Sequence, residues 1–408
     1  MGALAERARV LHALGSRDFR LVWGGQSVSL IGNGALFVAL GWRAVALTGK
    51  STSLAFVLLL WSLGMLTTLL IGGALADRYE RRRLMIISDV TRGILVAGLA
   101  VVDASGHLTL TRLLLFALAL GLGDGFFHPA FGGIVPLVVE DPLLASANAL
   151  IGISRNISFV IGPAIASALY AGVGASSVFA FDAWTYAFSA SLLWFARPRA
   201  VEREGEPTGT LREVVDGIRY IAGVPWLWVT ISLAALILMV AFTPYQALLP
   251  KLVQEHFHRG VGAYGTLFSL QAVGMVIGAL VFGQVNPGRH RVATFYSFYA
   301  LNDLCVIAMA IEPSYRVAVA LVLVRGGFIG FSNALWETVL IELVPEDKLS
   351  RVVSLDYFGS FGLTPVGFAL TGLLAGFFSP SDILVVSFSL AALLWVVPLT
   401  SRRVRSAA

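Results

Sequence analysis

Blocks of about 20 or more apolar residues recur along the whole chain, separated by short polar stretches. Each block is long enough to cross ~30 Å of hydrocarbon as a helix. The blocks are continuous rather than alternating, which excludes a transmembrane β-barrel. The pattern predicts an all-α integral membrane protein with twelve transmembrane helices. The predicted spans are 20–47, 53–76, 84–103, 109–138, 146–171, 176–195, 225–249, 262–285, 292–311, 315–343, 351–376 and 382–400.

Composition supports the same class. Of the 408 residues, 57% are hydrophobic and 13% are charged, against roughly 25% charged in an average soluble domain. The single cysteine, Cys305, excludes an intrachain disulfide. We therefore expect the lipid bilayer to be the main partner of the protein surface.

Basic residues are distributed unevenly between the two sides of the predicted membrane. With the N-terminus inside, the inner segments hold 20 of the 29 lysines and arginines, and the outer loops hold 5. Positive charge concentrates in cytoplasmic loops, so both termini are predicted to be cytoplasmic in a cell inner (plasma) membrane. The net charge of +5 then reflects topology, and we expect no nucleic-acid partner.

The longest polar stretch, 197–224, lies at the centre of the chain. It separates an N-terminal six-helix half (1–196) from a C-terminal six-helix half (225–408), and its helical apolar spacing predicts an amphipathic helix. Two short stretches, "VEDPLLASANAL" and "PEDKLSRVVSL", echo each other 206 residues apart. The chain is therefore predicted to fold as two pseudo-symmetric halves, an arrangement that places a substrate site at their interface.

The stretch "GGALADRYERRR", residues 72–83, packs charges between the second and third spans. With twelve spans and a central loop, it resembles the signature of the major facilitator superfamily, a Gly-x-x-x-Asp-Arg core followed by basic residues. The efflux branch of that superfamily, which includes enterobactin and macrolide exporters, is similar in further stretches such as "GQSVSLIGNG". The resemblance implies a cytoplasmic gate in which Asp77 latches onto the start of span 11. The gate residues are Gly73, Asp77, Arg78, Arg81, Arg82 and Arg351.

Span 5 contains "FVIGPAIASALY", in which Gly162 and Pro163 resemble the antiporter signature of the superfamily. A Gly-Pro pair permits a helix bend, and the resemblance favours export over uptake. Ordinary close packing of helices is the alternative interpretation.

Ionisable residues deep in a membrane are costly and indicate function. The proton-coupling candidates on this criterion are Asp124, His128, Arg155, Glu337, Arg325 and Asp303. Asp124 is the predicted proton carrier, with a static Asp124–Arg155 ion pair as the alternative, and a buried structural role is the alternative for Asp303. Asp89 and Arg92 are interpreted as a local ion pair nearer a helix end, and Asp182 and Asp356 as structural residues.

Uncharged polar and aromatic residues form a stripe along several spans. Such a lining suits a bulky amphipathic ligand. The substrate-cavity candidates are Gln26, Asn33, Phe127, Tyr245, Gln246, Gln271, Asn333, Trp336 and Tyr357.

These features together predict a secondary transporter. The stretch "TGKST" has Ala44 where a phosphate-binding loop needs glycine, so the expected driving force is a proton gradient, with no cofactor and no metal. The protein is predicted to be a proton-coupled antiporter that exports amphipathic small molecules, such as drugs or siderophore-like metabolites, by alternating access as a monomer. A proton-coupled symporter that imports a nutrient is the alternative. A non-transporting membrane sensor is a third class, and no catalytic constellation indicates an enzyme.

Overall fold

The computed structural model describes residues 11–199, 210–285 and 291–397. Within these ranges the backbone alone is described at a few positions. Those positions are Leu70, Ala74, Asp77, 210–215, Glu346, Asp347, Ser350 and Arg351.

Helices make up almost all of the described chain, and no strand occurs in these ranges. A π-helical turn, Leu238–Phe242, joins α8 to α9. The helices are α1 (Arg17–Thr48), α2 (Thr52–Arg78), α3 (Arg81–Ala104), α4 (Leu110–Val138), α5 (Leu144–Gly172), α6 (Ala175–Phe195), α7 (Thr210–Gly223), α8 (Pro225–Ile237), α9 (Thr243–Glu255), α10 (Val261–Phe282), α11 (Arg291–Ile311), α12 (Tyr315–Leu343), α13 (Glu346–Phe361), α14 (Thr364–Leu374) and α15 (Pro380–Val396).

Ten helical segments of the described chain are long and apolar enough to cross a membrane. This confirms the predicted all-α membrane fold, but the count of twelve stays a prediction. The segment α6 is not among the ten, and α15 is shorter at 17 residues.

Helix ends follow from local sequence. The Ser16 side chain accepts a hydrogen bond from the Phe19 amide at the start of α1, and Thr109 does the same for Arg112 at the start of α4. Such caps satisfy amides that have no partner inside the helix. Gly49 ends α1 with a left-handed φ of 70°, which glycine adopts without strain.

Two predicted spans depart from a regular α-helix. The seventh span passes through the π-helical turn, which ends two residues before Pro244. The eleventh span stops at Phe361 and restarts at Thr364, followed by Pro365. Proline has no amide hydrogen to donate to the preceding turn, which accounts for both positions. The apolar pattern alone gives no sign of either interruption.

The chain divides into two compact units. Unit 1 comprises Met1–Gly49, Phe56–Arg203 and Val261–Ser269, and unit 2 comprises Lys50–Ala55, Glu204–Gly260 and Leu270–Ala408.

A close helix approach occurs within each unit. In unit 1, a β-carbon added to Gly121 on α4 would lie 2.0 Å from the Trp61 carbonyl oxygen on α2. In unit 2, a β-carbon added to Gly326 on α12 would lie 2.2 Å from the Gln271 carbonyl oxygen on α10. Glycine lets the two backbones meet, and this contact sets Trp61 against α4 and Gln271 against α12.

Candidate functional site

A buried arginine lies at the centre of unit 1. Arg92 on α3 is 2% exposed. Its Nη2 donates to Asp89 Oδ1 at 2.6 Å, and its Nη1 donates to Asp124 Oδ1 on α4 at 2.8 Å. The guanidinium therefore pairs with two carboxylates on neighbouring helices, which is how a charge is tolerated at membrane depth.

Two aromatic rings enclose the same guanidinium. The Arg92 Cζ atom lies 4.2 Å from the ring centre of Phe127 and 4.6 Å from that of Tyr186. Ring faces attract a desolvated cation. Phe127, which the sequence places in a substrate cavity, is buried in this contact.

Hydrogen bonds extend the network to α1, α2 and α6. Gln26 Nε2 donates to Ser189 Oγ at 2.8 Å, and Ser189 Oγ donates to Asp89 Oδ2 at 2.7 Å. Trp61 Nε1 donates to Asp124 Oδ2 at 2.6 Å. Five helices thus meet through one polar network, in which Asp124 is 9% exposed.

A third carboxyl group lies deeper in unit 1. Asp182 on α6 is 0% exposed. Its Oδ1 accepts a hydrogen bond from Thr185 Oγ1 at 3.3 Å, and its Oδ2 has no hydrogen-bond partner among the described residues. One turn further along α6, the Tyr186 hydroxyl donates to Asn33 Oδ1 at 2.6 Å.

The alternative interpretation of Asp124, an ion pair with Arg155, is wrong. Asp124 pairs with Arg92, while Arg155 is exposed on α5. The role of Asp124 as proton carrier stays a prediction. The predicted Asp89–Arg92 pair is confirmed. Its placement near a helix end was wrong, because Arg92 is in the middle of the 24-residue helix α3 and reaches across to α4.

His128 on α4 is exposed and lies within electrostatic reach of Asp124 and Arg92, but no hydrogen bond or ion pair among the described residues joins it to this network. In unit 2, Glu337 on α12 is exposed. Asp303 on α11 is buried and accepts a hydrogen bond from Asn302 Nδ2 at 2.8 Å.

Unit 2 contains a smaller cluster around Arg325 on α12, which is 5% exposed. Its Nη1 donates to Gln271 Oε1, which also accepts from the Tyr245 hydroxyl at 3.2 Å. The Arg325 Cζ atom lies 4.0 Å from the Tyr245 ring centre. The structure thus brings together three residues that the sequence assigns to two different roles.

The other cavity candidates of unit 2 lie elsewhere in that unit. Asn333 Oδ1 accepts from the Tyr299 hydroxyl at 2.6 Å, and Trp336 Nε1 donates to Asp356 Oδ2 at 2.9 Å. Tyr357 is exposed, and the Gln246 Oε1 atom is buried with no partner in the described part of the chain.

Arginines of the predicted gate bind backbone carbonyls of unit 1. Arg81 Nη1 donates to the Gly133 oxygen at 2.5 Å, and Arg82 Nη1 donates to the Ala196 oxygen at 2.6 Å. These carbonyls lie in the last turns of α4 and just after α6, where a cation is favoured. Gly73 is half-buried and Arg78 is exposed. The predicted Asp77–Arg351 region lies outside the described side chains.

Gly162 and Pro163 lie within the unbroken helix α5. A β-carbon on Gly162 would be 2.8 Å from the Ile31 carbonyl oxygen on α1. The pair therefore marks a close crossing of two helices.

Membrane-length helices around a buried ion network define a polytopic membrane protein of the transporter class. The sequence model of the Major Facilitator Superfamily matches residues 22–355. The chain belongs to this superfamily.

Curated relatives include efflux proteins. Macrolide efflux protein A of Streptococcus pyogenes is 24% identical over 365 residues, covering 88% of this chain and 89% of the relative. The enterobactin exporter EntS of Citrobacter koseri is 27% identical over 379 residues, covering 89% and 86%.

Solved structures share the fold. A bacterial homologue of the iron transporter ferroportin, in an inward-facing state, matches with a TM-score of 0.71 at 18% identity, covering 93% of this chain and 98% of that one. A mutant of the nucleoside transporter NupG matches with a TM-score of 0.74 at 12% identity, covering 93% and 98%.

Proposed function

We propose that this protein is a proton-coupled exporter of amphipathic small molecules that works by alternating access. The observation that carries the proposal is the buried network of unit 1, in which Arg92 pairs with Asp89 and Asp124. Ionisable groups inside a membrane protein mark ion pathways. Two relatives are named for the export of a macrolide and of enterobactin, which supports outward transport.

Asp124 is the proton carrier in this proposal. It is more exposed than Asp89 and Asp182, and it links α4 to both α2 and α3 through Trp61 and Arg92. Protonation cancels its charge and weakens both bonds, whereas loss of the proton restores them. A group that changes the contacts of three helices is able to shift the balance between two conformations.

The remaining sequence predictions complete the proposal. The halves 1–196 and 225–408 alternate around the linker 197–224, both termini face the cytoplasm, and the transporter works as a monomer. Apart from Gln26 and Phe127, which are buried in the network of unit 1, the polar and aromatic candidates of both halves contact the substrate. Asp77 latches the cytoplasmic side by facing the start of span 11.

Replacing Asp124 by asparagine tests the coupling. Asparagine keeps the size of the side chain but cannot exchange a proton, so Asp124→Asn should bind and exchange a substrate yet lose export that only a pH gradient drives. Ethidium movement in proteoliposomes with an imposed pH gradient measures this. Asp103→Asn is the matched control, because Asp103 pairs with Arg43 at 2.6 Å in the same unit, outside the network. Normal pH-driven export by Asp124→Asn would exclude Asp124 as carrier, and Glu337 becomes the next candidate.

The rival function is proton-coupled import of a nutrient. It uses the same buried carboxyl groups and differs in the direction of substrate movement. The named activities of the efflux relatives and the resemblance at Gly162 and Pro163 favour export.

A further inference from the structure

The buried charges of unit 1 do not balance. The described part of this unit buries four carboxyl groups, those of Asp89, Asp103, Asp124 and Asp182, and one arginine, Arg92. Asp103 has its own partner, Arg43. The other three carboxylates against one guanidinium leave an excess of two negative charges.

Asp182 would contribute most of the free-energy cost of this excess negative charge. Both Nη atoms of Arg92 are bonded to Asp89 and Asp124, and no ion pair joins Asp182 to any described residue. An ionised carboxylate that is fully buried and unpaired is strongly destabilising. The neutral acid avoids that cost.

Among the described residues, the surroundings of Asp182 supply no second cation. Helix α1 faces it with Gly32, whose added β-carbon would be 2.4 Å from Asp182 Oδ1. The charged groups in electrostatic reach are Arg92 and Asp89 on α3 and Asp124 on α4. On α6 itself the neighbouring titratable group is Tyr186, and the arginine of α5, Arg155, is exposed.

We propose that Asp182 is a second proton-binding carboxyl group that exchanges its proton with water by way of the more exposed Asp124, so that two protons, one on Asp124 and one on Asp182, are exchanged in each transport cycle. This inference rests on the proposed export function. The step is a simple protonation: a proton from water binds a carboxylate oxygen to give the neutral acid, and the reverse step returns it to water. When both groups are protonated, the charges of Asp89 and Arg92 cancel, and the interior of unit 1 is neutral.

The protonation itself is tested on purified protein without any substrate. Infrared spectroscopy separates the carbonyl stretch of a protonated carboxyl group from the bands of carboxylates. At neutral pH, the intensity of that carbonyl band in Asp182→Asn should be lower than in the unmodified protein by the contribution of one carboxyl group. In Asp103→Asn the band should keep its full intensity. An unchanged band in Asp182→Asn overturns the proposal. If the asparagine variant does not fold, as judged by its melting temperature, Asp182→Ser takes its place.

The number of protons is tested with ethidium, a monovalent cation. Exchange of two protons for one ethidium moves one net positive charge per cycle, whereas exchange of one proton is electroneutral. The test uses proteoliposomes without a pH gradient, in which potassium and valinomycin set a membrane potential that is negative on the side that ethidium leaves. This potential should drive ethidium export by the unmodified protein and by Asp103→Asn. Asp182→Asn should show only the rate of protein-free liposomes.

Equal responses of Asp182→Asn and the unmodified protein, or no response of the unmodified protein, overturn the two-proton cycle. A failure of the proposed function looks different. In that case a pH gradient moves no ethidium in any variant, and the infrared comparison still decides whether Asp182 holds a proton.

Discussion

Arg92 is the residue on which the interior of unit 1 depends most directly. It joins two carboxylates on two helices and lies between two aromatic rings. Breaking a buried ion pair by removing one partner costs more than the pair itself contributes, because the remaining charge stays buried.

We expect Arg92→Gln to lower the free energy of unfolding by about 3–5 kcal/mol, the usual cost of leaving a buried charge unpaired. Denaturant unfolding in detergent, followed by circular dichroism, measures the change. Arg155→Gln is the matched control, since Arg155 is an arginine within a helix of the same unit, α5, but is exposed. Equal stability of the two variants would contradict the central role of Arg92.

Sequence alone indicated that charges in the spans carry function, but not which charges meet. Asp89 and Arg92 are three residues apart on one helix, so their pairing follows from helix geometry. The contact of Arg92 with Asp124 joins different helices, and no spacing along the chain encodes it. The sequence places Gln26 and Phe127 in a cavity, whereas both are buried in the network. The polarity of a residue and its depth in the membrane follow from the sequence, but the direction that it faces in the helix bundle does not.

At the scale of single elements, hydropathy predicts helix ends closely because lipid and water impose them. The predicted span 315–343 coincides with α12, and the predicted span 176–195 begins one residue after α6 does. The break between Phe361 and Thr364 lies inside a predicted span, and the hydrophobic pattern does not show it. Gly362 and Pro365 are the local signals of that break.

The close approach of α2 and α4 gives a prediction for a glycine. In Gly121→Ala the new methyl group would lie 2.0 Å from the Trp61 carbonyl oxygen, so the helices must separate, and overpacking of this kind typically costs about 1–3 kcal/mol. The melting temperature should fall. Gly132→Ala on the same helix is the control, because nothing lies within 4 Å of its added β-carbon, and its stability should stay equal or rise. A Gly121→Ala protein as stable as Gly132→Ala would show that the helices have room to adjust.

At the scale of the whole molecule, the proposal predicts the direction in which the substrate crosses the membrane. Cells that overproduce the protein should accumulate less ethidium than control cells, and a protonophore should abolish the difference because it collapses the gradient that drives export. The Asp124→Asn protein serves as the inactive control at matched expression. Accumulation that rises above that of control cells, and falls again with the protonophore, would favour the importing symporter.

Family membership and the helical membrane fold followed from the sequence because both depend on long-range pattern: apolar blocks, basic loops and the charged stretch after α2. The position of the linker alone does not define the boundary between the two compact units. Short segments of each predicted half group with the other unit, namely Lys50–Ala55 and Val261–Ser269, and their composition does not distinguish them from their neighbours.

The glycine contacts at Gly121 and Gly326 have a consequence for the side chains beside them. In both units the partner of the glycine is a backbone carbonyl, that of Trp61 or of Gln271, so the approach of the helices places no demand on the side chain at that position. Trp61 donates to a carboxylate, whereas Gln271 accepts from an arginine. The backbone contact therefore fixes where the helices cross without fixing whether the side chain beside it is a donor or an acceptor, and the charge of its partner on the facing helix differs between the two units accordingly.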